Sequence, residues 1–162
     1  MKKLSNRWSE LIYEERKQEL FRFLYVILGE TQAAEDALQE TFLKAYLHRN
    51  KYIEMQQEKA WLYQIARNTA YDILRKKRRE FPIEKDVLSD VVEQHAEQNN
   101  IDTNLMYMEM IRELNEKERE IVSLKIIAGL THREIAETLH MTTGSVKKRY
   151  ERALSKLRTI IK

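Results

Sequence analysis

Hydrophobic positions in this chain recur every three or four residues, in blocks parted by short polar breaks, which is the pattern of amphipathic helices. The first block, roughly Glu14 to Leu28, is dense in Leu, Phe and Ile and predicts a central core helix that stops at Gly29. In the next, from about Gln32 to Leu47, Ala34, Leu38, Thr41, Phe42 and Ala45 share one side. Asp36, Gln39, Glu40 and Leu43 form a narrow stripe opposite, an acidic strip with one apolar member that suits docking onto a basic protein surface. A polar connection from His48 to Glu58 leads to a long helix expected from about Lys59 to Arg79. Its buried side reads Leu62, Ile65, Ala66, Thr69 and Ile73, and a second face carries Gln64, Arg67, Asn68, Tyr71, Arg75 and Arg78. Guanidinium groups, amides and an aromatic ring on one face can hold a phosphate backbone and meet unstacked bases.

Towards the end of the chain the pattern gives two short helices around a turn. Thr131 is placed to cap the first, with Glu134 three residues on to complete a capping box. Ile135, Ala136 and Leu139 supply its apolar stripe. The break falls at His140 to Thr143, where Thr142 or Thr143 can cap the second helix. Val146, Tyr150, Ala153, Leu154 and Leu157 then face inward, while Lys148, Glu151, Arg152 and Ser155 face out, flanked by Lys147 and Arg149. A second helix that presents cations and hydrogen-bonding groups outward is the shape that enters a DNA major groove.

Composition narrows the class. Three glycines and one proline in 162 residues are too few for a turn-rich β protein, so the fold class is all-α. With no cysteine, neither a disulfide framework nor a thiolate metal site is expected. The four histidines, His48, His95, His132 and His140, show no metal-binding spacing, and there is no Gly-rich phosphate loop. No metal, cofactor or catalytic residue is expected, and an enzyme is the weakest of the rival readings. Met1 to Ser9 lacks the apolar run of a secretory signal, and Leu20 to Leu28 is too short to cross a bilayer. A cytoplasmic protein is the expectation.

Charge divides the chain further. The net charge is only +3, yet residues 141–162 hold seven Lys or Arg against the single Glu151. Residues 80–104 carry seven acids and one base, Lys85, directly after the basic run Arg75-Lys76-Lys77-Arg78-Arg79. Two small helical domains joined by an acidic linker follow from this, with 1–80, 81–104 and 105–162 as the expected segments.

Four stretches carry a resemblance to a known family. Residues 34–46, 61–75, 114–121 and 144–149 are similar, in order and spacing, to bacterial RNA polymerase sigma factors of the extracytoplasmic-function type. The resemblance implies a sigma2-like bundle and a sigma4-like helix-turn-helix domain in a transcription initiation factor for stress or envelope-response promoters. Asp36, Gln39, Glu40 and Leu43 would meet the β′ clamp helices of core polymerase, whose β flap is a second contact. Gln64, Arg67, Asn68, Tyr71, Arg75 and Arg78 would hold the melted −10 strand, with a flipped base captured within His48 to Glu58. Ser145, Lys147, Lys148, Arg149, Glu151 and Arg152 would read the −35 duplex. There Lys or Arg can donate to guanine, Glu can accept from cytosine, and Ser145 with the amides near Gly144 would suit a phosphate. The acidic linker would imitate RNA in its exit channel. An anti-sigma factor, commonly membrane-anchored, is the further implied partner and would hold the protein at the membrane. In two places the chain departs from the family: His140 stands where relatives often have Gly, and Glu151 where they are often neutral or aromatic. A conventional DNA-binding regulator using only the C-terminal helix pair is the main rival.

Overall fold

The computed structural model describes residues 2–54, 58–80 and 102–161, with side chains described over 10–51, 58–80 and 107–160. Every regular element among them is a helix. The chain divides into two units, Met1–Pro82 and Ile83–Lys162.

In the first unit, α1 (Lys2–Leu28), α2 (Thr31–Leu47) and α4 (Glu58–Glu80) pack against one another in pairs, with the short α3 (Arg49–Glu54) between α2 and α4. Leu20, Phe23, Leu24 and Leu28 recur at helical spacing on α1 and are buried. Gly29 ends the helix with φ 71°, a left-handed conformation that glycine adopts without a Cβ clash, and its N–H reaches the Tyr25 carbonyl at 2.8 Å. Small residues let α2 approach closely: Ala33, Ala34, Ala37, Leu38, Thr41 and Ala45 are buried. Phe42, expected inside, is only half-buried and meets the Tyr13 ring edge-on at 5.0 Å. On α4 the buried set is Ala60, Leu62, Tyr63, Ala66, Thr69 and Ala70, whereas Ile65 and Ile73 are half-buried. The Lys77 ammonium ties the far end of α4 to the Glu30 carboxylate, 2.9 Å away at the α1–α2 turn.

The second unit holds α5 (Asp102–Arg112), α6 (Glu116–Ile126), α7 (His132–Leu139) and α8 (Thr143–Ile161). The first turn of α5 occupies residues 102–104, which the charge pattern had placed in the linker. The rest of that acidic segment, 81–101, lies outside the described residues. Asn115 caps α6 in a capping box with Glu118. Arg119 closes the end of α5 by donating to the carbonyls of Ile111 and Leu114, both at 3.2 Å. Thr131 and Glu134 form the box expected for α7.

The turn after α7 is made by His140 in the left-handed region, φ 55° and ψ 49°. Met141 N–H meets the Ala136 carbonyl at 2.9 Å, the long bond of a Schellman turn. A side chain with a Cβ bears roughly 1–2 kcal/mol of strain in that conformation. Of the two capping candidates for α8, Thr142 is the cap: its hydroxyl accepts from Ser145 N–H at 3.2 Å. Val146, Ala153 and Leu157 are buried, and Tyr150 and Leu154 half-buried.

Candidate nucleic-acid and protein interfaces

Burial of one side of α2 leaves Asp36, Gln39, Glu40 and Leu43 exposed together. Gln32 Nε2 donates to the Asp36 carboxylate at 3.0 Å. Leu43 is 58% and Leu47 66% exposed, so the acidic stripe continues into an apolar one. Lys44 sits at its edge. Its ammonium lies 3.3 Å from Glu40 and also donates to the buried Thr69 hydroxyl on α4 at 3.1 Å. This tie between α2 and α4 joins residues 25 apart, and no local pattern shows it.

On α4, Asn68, Arg75 and Arg78 are exposed and Gln64, Arg67 and Tyr71 half-buried. The Arg67 guanidinium lies over the Tyr71 ring, 4.8 Å from its centre, a cation–π couple that ties the two side chains together. Arg75 is hydrogen-bonded to Asp72. The segment expected to capture a flipped base contains the helix α3 instead of an open connection, and residues 55–57 lie outside the described part.

Lys147, Lys148, Glu151 and Arg152 are exposed on α8, with Ser145 and Arg149 half-buried beside them. None of the four exposed side chains enters an ion pair among the described residues. At the start of α8 the Ser145 N–H is taken by the Thr142 hydroxyl and the Val146 N–H by the Thr142 carbonyl. Among the described residues the amides of Thr143 and Gly144, directly before Ser145, have no hydrogen-bond acceptor, and it is near Gly144 that free amides were expected. A Cβ on Gly144 would meet no atom within 4 Å, so packing does not demand glycine there.

Comparison with known proteins identifies this pair of units. The family model Sigma-70 region 2 matches residues 12–80, and Sigma-70, region 4 matches residues 104–157. The chain belongs to the extracytoplasmic-function sigma factors of the sigma-70 family. It is 27% identical to the extracytoplasmic-function sigma factor SigM of Bacillus subtilis, over 92% of either chain. With SigW of the same organism the identity is 29%, over 88% of this chain and 82% of SigW. The fold is similar to RpoE, solved with the anti-sigma factor NepR from Bartonella quintana, at a TM-score of 0.69 and 22% identity, covering 93% of this chain and 96% of that one. A complex of CnrH with the cytosolic domain of CnrY gives 0.68 at 20% identity, covering 96% and 88%. No helix among the described residues of this sigma factor is long and apolar enough to cross a membrane.

Two features of the region 4 unit escaped the periodicity. Glu118, 4% exposed, receives the Lys156 ammonium at 2.7 Å and so clamps the start of α6 to the far half of α8. His132 opens α7 with its ring edge-on to Tyr150 of α8 at 5.3 Å and its Nε2 buried without a hydrogen-bond partner among the described residues. Burial, then the charges of Lys125 and Lys147, lower its pKa from the ordinary 6.5, against an opposing pull from Glu151. The unfolded chain therefore binds more protons between the lowered value and the ordinary one. His132's contribution to stability is complete above the ordinary value and is lost as the pH falls through the lowered one. Melting this sigma factor at about pH 7.5 and about pH 5.5, a unit either side of the ordinary histidine value, should show region 4 weaker in acid. His132→Gln should shrink that difference; an undiminished shift in the variant would clear His132.

Proposed function

We propose that this sigma factor brings core RNA polymerase to promoters by dividing the work between its two units. The acidic stripe of α2, Asp36, Gln39, Glu40 and Leu43, docks on the β′ clamp helices. The α4 face, Gln64, Arg67, Asn68, Tyr71, Arg75 and Arg78, holds the separated non-template strand of the −10 element, with the arginines on phosphates and Tyr71 and Asn68 against bases. Ser145, Lys147, Lys148, Arg149, Glu151 and Arg152 on and beside the outer face of α8 read the −35 duplex in the major groove, while the β flap supports this unit. The acidic segment around 81–101 enters the channel that RNA later occupies. An anti-sigma factor, of the class solved with RpoE, masks these surfaces until a signal releases them, and where that partner is membrane-anchored it keeps the protein at the membrane.

The observation that carries this reading is the exposed set Lys147, Lys148, Glu151 and Arg152, in no ion pair among the described residues, on a capped helix whose other side is buried in its own unit. Such groups are free to exchange water for base edges without first breaking a bond inside the protein.

The decisive test is transcription of a promoter library by core polymerase with and without the chain. New start sites should arise only when it is added, each preceded by the same pair of short elements. Lys148→Ala and Arg152→Ala should each relax the upstream preference by about 1–3 kcal/mol if the contact is bidentate to a base. Tight operator binding by the chain alone, with start sites indifferent to it, would mark a stand-alone regulator and defeat the proposal.

A further inference from the structure

Glu151 is the only acid between Met141 and Lys162. It lies on the exposed side of α8, one turn past Lys147 and Lys148 and next to Arg152. Lys147 precedes it by four residues, a spacing at which helical ion pairs can form, although the Lys-before-Glu order is the weaker one. Among the described residues its carboxylate makes no ion pair and no hydrogen bond. It caps no helix and reaches no core, and its one described interaction inside the protein is the minor electrostatic pull on His132. A bare carboxylate in the middle of a cationic surface also weakens attraction to phosphates. On a helix that reads bases, such a group acts by choosing among them.

We propose that Glu151 is a specificity-determining residue that selects cytosine at one position of the upstream element and rejects guanine and thymine there. The inference rests on the reading of α8 as the −35 helix. An ionised carboxylate only accepts hydrogen bonds. In the major groove guanine shows N7 and O6 and thymine shows O4, all acceptors, and these repel it. Adenine offers its N6 amino group beside the N7 lone pair, which opposes a second carboxylate oxygen. Cytosine offers the N4 amino group with no acceptor beside it on that edge. The guanine paired to that cytosine presents O6 and N7 alongside, within the same base pair, and these suit a neighbouring cation such as Lys148 or Arg152. An acid and a base on adjacent turns thus match the donor and acceptors of a single C·G pair.

The test uses the holoenzyme on templates carrying each of the four bases at every position of the upstream element. With the natural chain, cytosine at one position should outperform guanine and thymine by about 5- to 100-fold. Glutamine carries both a donor and an acceptor and can bond adenine at N6 and N7 together. Glu151→Gln should therefore move the optimum at that same position to adenine, and Glu151→Ala should flatten it, with all other positions unchanged. At about pH 7.5, above the ordinary histidine value, both variants should melt like the natural protein, since the side chain is exposed. If start sites still depend on the chain but neither variant alters the preference at any position, the inference is overturned. If the natural chain adds no start sites, the proposed function itself fails, a separate result.

Discussion

Asp36→Arg is expected to abolish assembly of this chain with core RNA polymerase while leaving its melting unchanged. Asp36 is exposed on α2, and among the described residues its hydrogen bond is from the exposed Gln32 side chain. The buried contacts of the helix belong to Ala33, Ala34, Ala37, Leu38, Thr41 and Ala45 on the other side. Surface changes of that kind stay within about 0.5 kcal/mol of the parent. Against a basic partner the balance is different. Removing one member of a hydrogen-bonded charge pair in an interface costs about 2–5 kcal/mol, and reversing its sign adds repulsion to the loss. Glu35→Arg is the control, since Glu35 is also exposed but lies a little over a quarter of a turn round the helix from Asp36, beyond the Gln39 edge of the stripe. It should assemble. Co-elution with core polymerase and a thermal melt of each variant decide the matter: retained assembly in Asp36→Arg, or lost helicity, would show that the stripe is misassigned.

The stripe could be read in advance because 3.6-residue spacing fixes direction on a helix, whatever the helix packs against. The same holds for the outer face of α8. Caps were equally legible, since Thr131 with Glu134 is a local code and the structure forms it as written. What failed did so where burial is set by more than one neighbour. A single stripe on α4 implies one partner, but α4 packs on both α1 and α2 and buries a wider arc that takes in Tyr63 and Ala70. At the start of α1 the error ran the other way. The helix begins at Lys2, a dozen residues before the expected Glu14, and carries Leu11 at 61% exposure. Apolar residues that do not face a core scramble the periodicity. The short α3 has too few residues to show a period at all. Lys44 with Thr69, and Lys156 with Glu118, join residues 25 and 38 apart, and no local rule reaches that far.

That doubly packed α4 leads to the second large effect. Phe23→Ala should destabilise the region 2 unit by about 3–5 kcal/mol, the usual range for a fully buried phenylalanine. Phe23 is completely buried on α1, its ring edge-on to Tyr63 of α4 at 5.2 Å, with Leu20, Leu24 and Leu62 also fully buried. The pair cannot collapse around a cavity easily. Tyr63 is anchored at its hydroxyl, which donates to the Glu19 carboxylate at 3.4 Å and is kept protonated by burial and by that acid's charge. A domain of this size is stable by roughly 4–12 kcal/mol, so the loss is a large share of the total. Tyr63→Phe keeps the ring and gives up only a long hydrogen bond, for about 1 kcal/mol or less. Region 4 has its own buried set, Ile121, Leu124 and Val146 among it, and its unfolding should not move in either variant. Function separates this effect from the first. Asp36→Arg should lose polymerase and keep a folded α4, whereas Phe23→Ala should lose polymerase and strand binding together, since α2 and α4 are both placed by α1. If Phe23→Ala melts no lower than Tyr63→Phe, the core of region 2 is not built around this aromatic pair.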